Sequence, residues 1–549
     1  MKRRFVPALL AVLLLFCATP LSPAARAFSD TDGSWAAQTI DKAASYGLMQ
    51  GYPDGTFGVG KFITRGEFVT ILGRMFGWES VSPAQPSYID CPADKWCYAA
   101  VETARAHDVM EASGAFRPDD DISREEIAVM LVRALGYDGL ARSLAGLDLP
   151  FADVKDNAGY IAMAYDLGII TGVQAGDALQ FRPSFSAYRE EAAAMLVRCY
   201  ERLNAKVDWL HGFYAFSSYS QISLTAAMDG VSVGWASLAY DAQRGPWLNS
   251  TAEGGNDWIK PADPTPATDF FAQHSLPYNL NVFASAGDKV TLPDGSETST
   301  VAAVISDAGR SAAAVEALAA ASADYAGLTI DFEGLREGLK ADYAAFMADL
   351  RAALPADKTL YVCVQPGPWY LGYDFKALGE ICDKVIYMVH DYQWTDASSN
   401  VGTANTNSPV TPFPDVYKAL RAITDPAAGV QDRSKIALAI SFGTAALHID
   451  ENGYLLDGTV NHPAQETLAQ RLAQDGTVVT YDETYRNPYA IYTTEDGTRY
   501  KVWYEDERSV TDKLLLARMF GINGVSLWRI GNIPTYGNYD VWSAVLGLR

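Results

Sequence analysis

The stretch Gly327-Leu-Thr-Ile-Asp-Phe-Glu333 decides the fold of the larger part of this chain. Alternate residues of an extended strand share one face, so the side chains of Thr329, Asp331 and Glu333 point together. Two carboxyl groups held close together raise the pKa of one of them, which can then hold a proton near neutral pH. An isolated Asp-x-Glu pair is more often two surface acids at the end of a strand. The surrounding sequence favours a functional pair instead.

Short apolar runs alternate with helical stretches from about residue 207 to residue 549, a pattern typical of a parallel sheet with helical crossovers. The candidate strands are 209–216, 231–239, 280–284, 327–332, 360–365, 384–390, 436–442 and 524–528. Eight such strands predict an α/β fold, a (β/α)8 barrel whose active site lies at the carboxyl ends of the strands. The stretch 443–523 is too long for a simple loop and is predicted to form a small inserted α+β element that walls one side of the cleft.

The first two hundred residues contain an internal repeat in three copies. The repeated positions are Phe57, Phe116 and Phe181; Arg65, Arg124 and Arg189; Glu67, Glu126 and Glu191; Leu72, Leu131 and Leu196; Arg74, Arg133 and Arg198. Apolar residues recur at helical spacing after each first arginine, and Thr64 and Ser123 precede two of these helices as N-caps. We therefore predict three mainly helical units: 28–85, 86–148 and 149–203.

The composition excludes two classes of protein. Apolar residues make up 49% of the chain and charged residues only 20%, which is enough apolar surface to exclude disorder over the main body. The 43 Lys and Arg residues against 66 Asp and Glu residues give a formal charge of −23, so no nucleic-acid partner is expected. No CxxC or HExxH spacing occurs, and we expect neither a metal nor a cofactor.

The amino terminus has the pattern of a secretory signal. Lys2, Arg3 and Arg4 precede an apolar run over 5–17, and Ala25-Arg26-Ala27 is a small-x-small cleavage site. We assign 1–27 to a signal peptide and predict a secreted protein, since no later segment is long enough to span a membrane. Disulfides are allowed outside the cytoplasm, and whether Cys91 and Cys97 pair is left open by the sequence.

The repeat resembles the S-layer homology domain. Gly51-Tyr-Pro-Asp-Gly-Thr-Phe57 and Thr64-Arg65-Gly66-Glu67 match its Gly-Tyr-x-Asp-Gly-x-Phe turn and Thr-Arg-Ala-Glu-type tetrapeptide, and 123–126 and 188–191 are looser copies. The resemblance implies a three-unit domain that binds a secondary cell-wall polymer. It also implies that Arg65, Arg124 and Arg189 bind the anionic groups of that polymer, as a guanidinium does in a bidentate pair with a carboxylate.

The strand at 327–333 resembles the strand-four signature of glycoside hydrolase family 18, the chitinase-like barrels, written DxxDxDxE. Glu333 and Asp331 match its last two acids, whereas Ala326 and Thr329 replace the earlier two. Met388-Val-His-Asp391 stands where the family has Met-x-Tyr-Asp, and Gly524-Val-Ser-Leu-Trp528 is similar to its strand-eight ending. Further matches resemble the spore-cortex and cell-wall glucosaminidase branch: Tyr481-Asp-Glu483, Val502-Trp-Tyr-Glu-Asp506, Ser509 and Lys513.

The family mechanism implies roles for matching residues. Glu333 would protonate the glycosidic oxygen while the substrate's own N-acetyl carbonyl attacks the anomeric carbon, which is the substrate-assisted exception to the two-carboxylate scheme. Asp331 would orient the acetamido group and help keep Glu333 protonated. Trp528 would be the flat floor under the sugar, the alternative being a core tryptophan of the barrel.

His390 is the main departure from the family pattern, because a tyrosine there normally hydrogen-bonds the reacting acetamide. His390 could donate that bond, which would make activity sensitive to mildly acid pH, or it could simply be a packed strand-end residue. Tyr392 could instead supply the hydroxyl. Asp391 matches the family aspartate as a polar group that faces the substrate.

Together these features predict a secreted cell-surface glycosidase. A barrel over 207–549 would cut β-1,4 links of N-acetylglucosamine-containing glycan, peptidoglycan rather than chitin, while the repeats hold it on cell-wall polymer. The alternative is a catalytically weakened barrel that serves as a glycan-binding or S-layer structural protein, which the loss of two signature acids and of the tyrosine favours.

Overall fold

The computed structural model describes residues 28–111, 114–368 and 370–549, and the signal peptide predicted at 1–27 lies outside them. The chain folds into two compact units. We call the first, built from residues before 201, the helical unit. The second, the barrel unit, comprises Glu201–Arg549 with two short earlier pieces, Gly139–Leu144 and Tyr165–Gly168.

The helices before residue 204 follow the predicted repeat. Thr64 and Ser123 each accept a hydrogen bond from the backbone N–H of the glutamate three residues on, whose carboxylate in turn accepts from the N-cap N–H. The helices are Ala37–Ser45, Arg65–Phe76, Tyr98–Ala106, Arg124–Ala134, Asp138–Ser143, Ala158–Asp166 and Arg189–Leu203, with one small antiparallel hairpin of Val173–Ala175 and Ala178–Gln180.

The barrel unit contains a closed eight-stranded parallel barrel, which confirms the predicted fold class. We number its strands β1 Trp209–Tyr214, β2 Gly230–Asp241, β3 Tyr278–Ser285, β4 Gly327–Glu333, β5 Thr359–Val364, β6 Lys384–Tyr387, β7 Ile436–Ser441 and β8 Gly524–Ile530. Each strand pairs in parallel with the next, and β8 pairs with β1 to close the ring. All eight candidate strands of the sequence are present, so the carboxyl ends of the strands form one rim.

Helices lie between the strands of the barrel unit and after the last strand. They are Thr265–Gln273, Thr300–Ile305, Ala308–Ala321, Lys340–Ala353, Phe375–Ile381, Phe413–Ile423, Glu507–Met519 and Val541–Gly547. Short 3-10 segments are Phe216–Ala227, Glu253–Gly255, Ser322–Asp324, Glu337–Leu339, Ser398–Asn400 and Arg433–Lys435. Among the residues that the structure describes, no helix is both long and apolar enough to cross a membrane.

Two hairpins and one inserted sheet are added to the barrel. The end of β2 forms an antiparallel hairpin with Gly245–Asn249, and a second hairpin pairs Lys289–Thr291 with Glu297–Ser299. Between β7 and β8 the predicted insertion is a five-stranded antiparallel sheet with one helix, Gln465–Leu472. Its strands are Ala445–Ile449, Leu455–Asn461, Val478–Asp482, Asn487–Thr493 and Arg499–Trp503.

A chain of side-chain hydrogen bonds crosses the barrel interior below the rim. His211 on β1 contacts the hydroxyls of Ser526 and Ser232 through its two ring nitrogens, each at 2.8 Å, and Ser232 contacts the hydroxyl of Thr329 at 2.6 Å. Burial lowers the pKa of His211 to about 3, so the ring is neutral. Thr329 therefore places a neutral hydroxyl, hydrogen-bonded to Ser232, where the resembling signature has an acid.

Candidate active site

Glu333 is the last residue of β4, and Asp331 lies one step deeper on the same strand face. Asp331 is only 2% exposed, and its Oδ1 has no hydrogen-bond partner among the described residues. In register, Asp331 stands beside Phe283 of β3 and Glu333 beside Ser285. The strand alternation thus places both acids together at the carboxyl rim, as the sequence predicts.

Burial sets the charge of this pair. Burial raises the pKa of Asp331, and burial together with the negative charge of Asp331 raises the pKa of Glu333 to about 8. A carboxyl group with such a pKa keeps its proton at neutral pH. Glu333 can therefore act as a general acid there.

Gln365 holds the Glu333 carboxyl group in place. Its Nε2 donates to Glu333 Oε2 at 3.2 Å, while its Oε1 accepts from the N–H of Gly334 at 2.6 Å and from the Tyr373 hydroxyl at 3.4 Å. Sequence reasoning missed Gln365 as a functional residue. The available signal was its position at the end of the candidate strand 360–365.

His390 and Asp391 follow β6 and form a hydrogen-bonded pair. His390 Nδ1 lies 2.9 Å from Asp391 Oδ2, and Asp391 Oδ1 accepts from the hydroxyl of Ser441 on β7 at 3.0 Å. Asp391 has a left-handed backbone (φ 61°), which turns its side chain back toward the histidine. The hydrogen bond from Ser441 links this pair to the end of the neighbouring strand β7.

The charge of Asp391 determines which nitrogen of His390 carries the proton. Burial opposes ionisation of Asp391, but His390 and the hydrogen bonds from His390 and Ser441 outweigh it and lower its pKa to about 2. An ionised carboxylate can only accept, so Nδ1 of His390 must donate. The other nitrogen, Nε2, is buried without a partner among the described residues and is an acceptor unless the ring is protonated.

A cavity of about 800 Å³ joins these groups at the rim. Glu333, Gln365, His390, Asp391 and Tyr392 all line it. Burial raises the pKa of the Tyr392 hydroxyl, which therefore stays protonated and able to donate. The helix Phe413–Ile423 closes the outer side of this cavity with Asp415, Lys418, Ala419 and Ala422.

Trp528 lies on β8, opposite Glu333 across the barrel, and does not line that cavity. Its ring meets Phe213 edge to face with centroids 5.2 Å apart, and its centroid lies 6.2 Å from that of Trp258. The ring also packs on the buried cluster inside the barrel while remaining partly exposed. Trp528 thus packs on the barrel core, and its contact with a sugar stays a prediction.

The three repeat arginines are largely buried in the helical unit, at 9%, 6% and 5% exposure. Each donates from Nε to the carbonyl of a repeat phenylalanine and pairs with a repeat glutamate: Arg65 with Phe116 and Glu126, Arg124 with Phe181 and Glu191, Arg189 with Phe57 and Glu67. The third arginine returns to the first copy, so the ion pairs close a ring. The arginines therefore join neighbouring copies, and their binding of polymer stays a prediction.

One groove of the helical unit remains open beside such a pair. A cavity of about 310 Å³ is lined by Arg65, Glu126, Tyr88 and Arg133.

Cys91 and Cys97, the pairing of which the sequence left open, are both buried free thiols. Among the described residues no group of three or more His, Cys, Asp or Glu side chains could hold a metal ion.

Comparisons with known proteins agree with this architecture. The glycosyl hydrolases family 18 profile matches residues 294–532, and the S-layer homology domain profile matches residues 27–69. The cortical fragment-lytic enzyme of Bacillus anthracis is 29% identical over 212 residues, covering 37% of this chain and 45% of that protein. The surface layer protein of Brevibacillus choshinensis is 29% identical over 149 residues, covering 26% of this chain and 13% of that protein.

One solved structure supports the fold alone. The C-terminal domain of a Desulfitobacterium hafniense protein designated a chitinase superimposes with a TM-score of 0.50 at 20% identity, covering 63% of this chain and all of that domain. The chain spans less than half the length of the curated relatives it matches.

Proposed function

We propose that this chain, which contains a glycosyl hydrolase family 18 domain and an S-layer homology domain, is a secreted glycosidase held on the cell wall. The observation that carries the proposal is the position of Glu333. Its buried carboxyl group keeps a proton at neutral pH, stands at the barrel rim and opens into a cavity large enough for a sugar.

In the proposed reaction Glu333 gives its proton to the glycosidic oxygen as the bond to the anomeric carbon breaks. The carbonyl oxygen of the substrate's acetamido group attacks that carbon from the other face and forms an oxazolinium ion. Water then attacks the same carbon and loses a proton to the Glu333 carboxylate, and the oxazolinium ring opens to restore the acetamido group. Two displacements return the anomeric carbon to its starting configuration.

The neighbouring side chains support this reaction. Ionised Asp331, with Oδ1 unpaired in the free protein, would accept the acetamido N–H and balance the positive charge of the oxazolinium ion. Gln365 would hold Glu333 toward the cavity. Trp528 would support the apolar face of the sugar ring.

We assign His390 a hydrogen bond to the acetamide carbonyl from Nε2. Because Nδ1 is held by Asp391, Nε2 carries a proton only when the ring is an imidazolium. The protonated ring would replace the family tyrosine. Tyr392, whose hydroxyl lines the same cavity, is the alternative donor.

The proposed substrate is peptidoglycan rather than chitin. Its support is the likeness to a cortical fragment-lytic enzyme and the S-layer homology domain, which would keep the barrel next to the wall. The open groove beside Arg65 and Arg133 is the proposed seat of an anionic wall polymer.

The test is incubation of the protein with purified peptidoglycan and with chitin oligomers, followed by mass analysis of the new reducing ends. We expect N-acetylglucosamine at those ends, the retained anomer first by NMR, and little cleavage of de-N-acetylated glycan. Inversion, or equal rates on both forms of the glycan, would contradict the mechanism. Binding of glycan without any cleavage would favour the non-catalytic alternative, for which the hydroxyl of Thr329 in place of an acid is the supporting observation.

A further inference from the structure

The second copy of the repeat carries two cysteines, and the first copy carries none. Cys91 corresponds to Thr31 of the first copy, since each directly follows an aromatic-x-Asp triplet. Cys97 is the N-cap of the next helix, as Ala36 is in the first copy. All four side chains are buried, with Cys91 at 0% and Cys97 at 1% exposure. The cysteines therefore occupy two interior positions that both copies of the fold provide.

Three backbone turns fold the segment between the two cysteines. The N–H of Cys91 donates to the carbonyl of Tyr88 at 3.2 Å. The N–H of Lys95 donates to the carbonyl of Pro92 at 2.9 Å, and the N–H of Tyr98 donates to that of Lys95 at 2.9 Å. Successive turns shorten the distance along the chain, so residues six positions apart come close together.

The two thiol groups are in contact. Burial raises the pKa of Cys91 to about 12, and the neighbouring Cys97 thiol, hydrogen-bonded to it, adds to that rise. Burial also raises the pKa of Cys97, although the same hydrogen bond acts in the opposite direction. The thiolate is the reactive form of a cysteine, so both groups are unreactive at neutral pH once the unit has folded.

Gly66 of the first copy makes room for the sulfur of Cys97. A Cβ added to Gly66 would lie 3.2 Å from Cys97 Sγ and 3.0 Å from the carbonyl oxygen of Pro118. The corresponding residues of the other two copies are glutamates, Glu125 and Glu190. Glycine therefore stands at the copy whose neighbour brings a cysteine to this point.

We propose that Cys91 and Cys97 form a disulfide bond in the exported protein. The oxidant is a disulfide, either of a small thiol or of a thiol-oxidising protein. One cysteine thiolate attacks it, forms a mixed disulfide and releases one thiol, and the other cysteine then displaces the second thiol as the S–S bond closes. The two cysteines give up two protons and two electrons, which leave with the two thiols of the oxidant. The inference rests on the proposed secretion, because the cytoplasm keeps thiols reduced.

The bond has a place in folding and in the helical unit. It forms before the unit packs, since the packed thiols are buried and protonated. Tyr88, whose turn contains Cys91, lines the open groove together with Arg65. Cys97 lies against Gly66, the residue after Arg65. The bond thus holds one wall of the groove to which the anionic polymer is assigned.

Trypsin gives a direct test, because Lys95 lies between the two cysteines. Peptides 75–95 and 96–105 stay joined after digestion only if a disulfide links them. The exported full chain is alkylated in denaturant without reductant, digested and analysed by mass spectrometry. We expect the joined peptides, which a reductant separates, and alkylation of the remaining mature cysteines, Cys199, Cys363 and Cys382.

The double variant Cys91→Thr with Cys97→Ala is the matched control, because it carries the residues of the first copy. It should give no joined peptides. Its unfolding temperature should lie about 5–10 °C below that of the oxidised native protein, because the bond restricts the unfolded chain. Native protein that is reduced and refolded without oxidant should show the same lower temperature.

The outcomes separate this inference from the proposed secretion. Refolding of reduced protein with glutathione disulfide should also give the joined peptides. If it does, and the host does not export the chain, the proposed secretion is overturned and the pairing stands. Alkylation of both Cys91 and Cys97 in exported protein, or a link from either to another cysteine, overturns the disulfide. Equal unfolding temperatures of the oxidised protein and the double variant contradict its stabilising role.

Discussion

The proton on Glu333 is the single feature on which turnover depends. Glu333→Gln keeps the shape of the side chain and its contact with Gln365 but removes the proton donor, so we expect the rate to fall at least ~10²-fold with glycan binding retained. Initial rates and calorimetry on the same preparation check this. Glu337→Gln, an exposed acid four residues on, is the matched control and should keep the native rate.

The pH profile tests the proton on Glu333. A general acid works while protonated, and the raised pKa of Glu333, about 8, means that the rate should fall as pH rises toward and through that value. Initial rates measured across this pH range check it.

Two variants test the proposed bond from His390 to the acetamide. His390→Tyr, which restores the family hydroxyl, should retain more of the native rate than His390→Ala. Native rates in His390→Ala combined with loss in Tyr392→Phe would transfer the acetamide bond to Tyr392, which lines the same cavity.

Among the elements of the helical unit, ion pairs join the three copies. Glu191→Gln leaves the Arg124 guanidinium, 6% exposed, without its carboxylate, and we expect a loss of about 1–3 kcal/mol in the free energy of unfolding. Thermal unfolding of the full chain measures it. Lys95→Gln removes one partner of the more exposed pair with Asp119 and should cost less than ~1 kcal/mol.

The ring of arginine–glutamate ion pairs affects how wall-binding assays on arginine variants are interpreted. Loss of wall binding in Arg65→Ala counts as loss of a polymer contact only when the variant unfolds at the native temperature, since Arg65 also joins two copies. Arg133→Gln, in the same groove, gives a second test of the polymer site.

A buried ion pair fastens the insertion to the barrel helix Glu507–Met519. Glu505 accepts from Lys513 at 2.6 Å, from Ser509 at 2.6 Å and from Asn487 at 2.7 Å, and both charged side chains are 0% exposed. Lys513→Met should cost about 3–5 kcal/mol because it strands the Glu505 charge, as unfolding in urea would show. The double variant Glu505→Gln with Lys513→Met should recover part of that loss, and an additive loss would mean the two side chains do not interact.

For the whole molecule, the two compact units predict separable activities. A form without residues 28–138, all of which lie outside the barrel unit, should cleave soluble N-acetylglucosamine oligomers at the native rate but release less glycan from intact walls, because it sediments with them less. The native protein and this form are compared in both assays. Equal sedimentation of the two forms with walls would place the anchor outside residues 28–138.

Local pattern carried much of the prediction at the scale of strands and helices. The alternation in Gly327–Glu333 and the capping residues Thr64 and Ser123 depend on chain neighbours only, so the strand face of both acids and the helix starts follow from sequence. The eight apolar runs likewise predicted the barrel, because parallel strands with short helical crossovers close in few ways.

Contacts between distant residues needed the tertiary structure. Gln365 reaches Glu333 only because β5 lies beside β4, and Arg189 reaches Glu67 only because the third copy packs against the first. The sequence by itself determined which residues share a strand face or begin a helix. The tertiary structure decided which charges are buried, paired or left with an unsatisfied atom, because these properties depend on neighbours that are distant in the sequence.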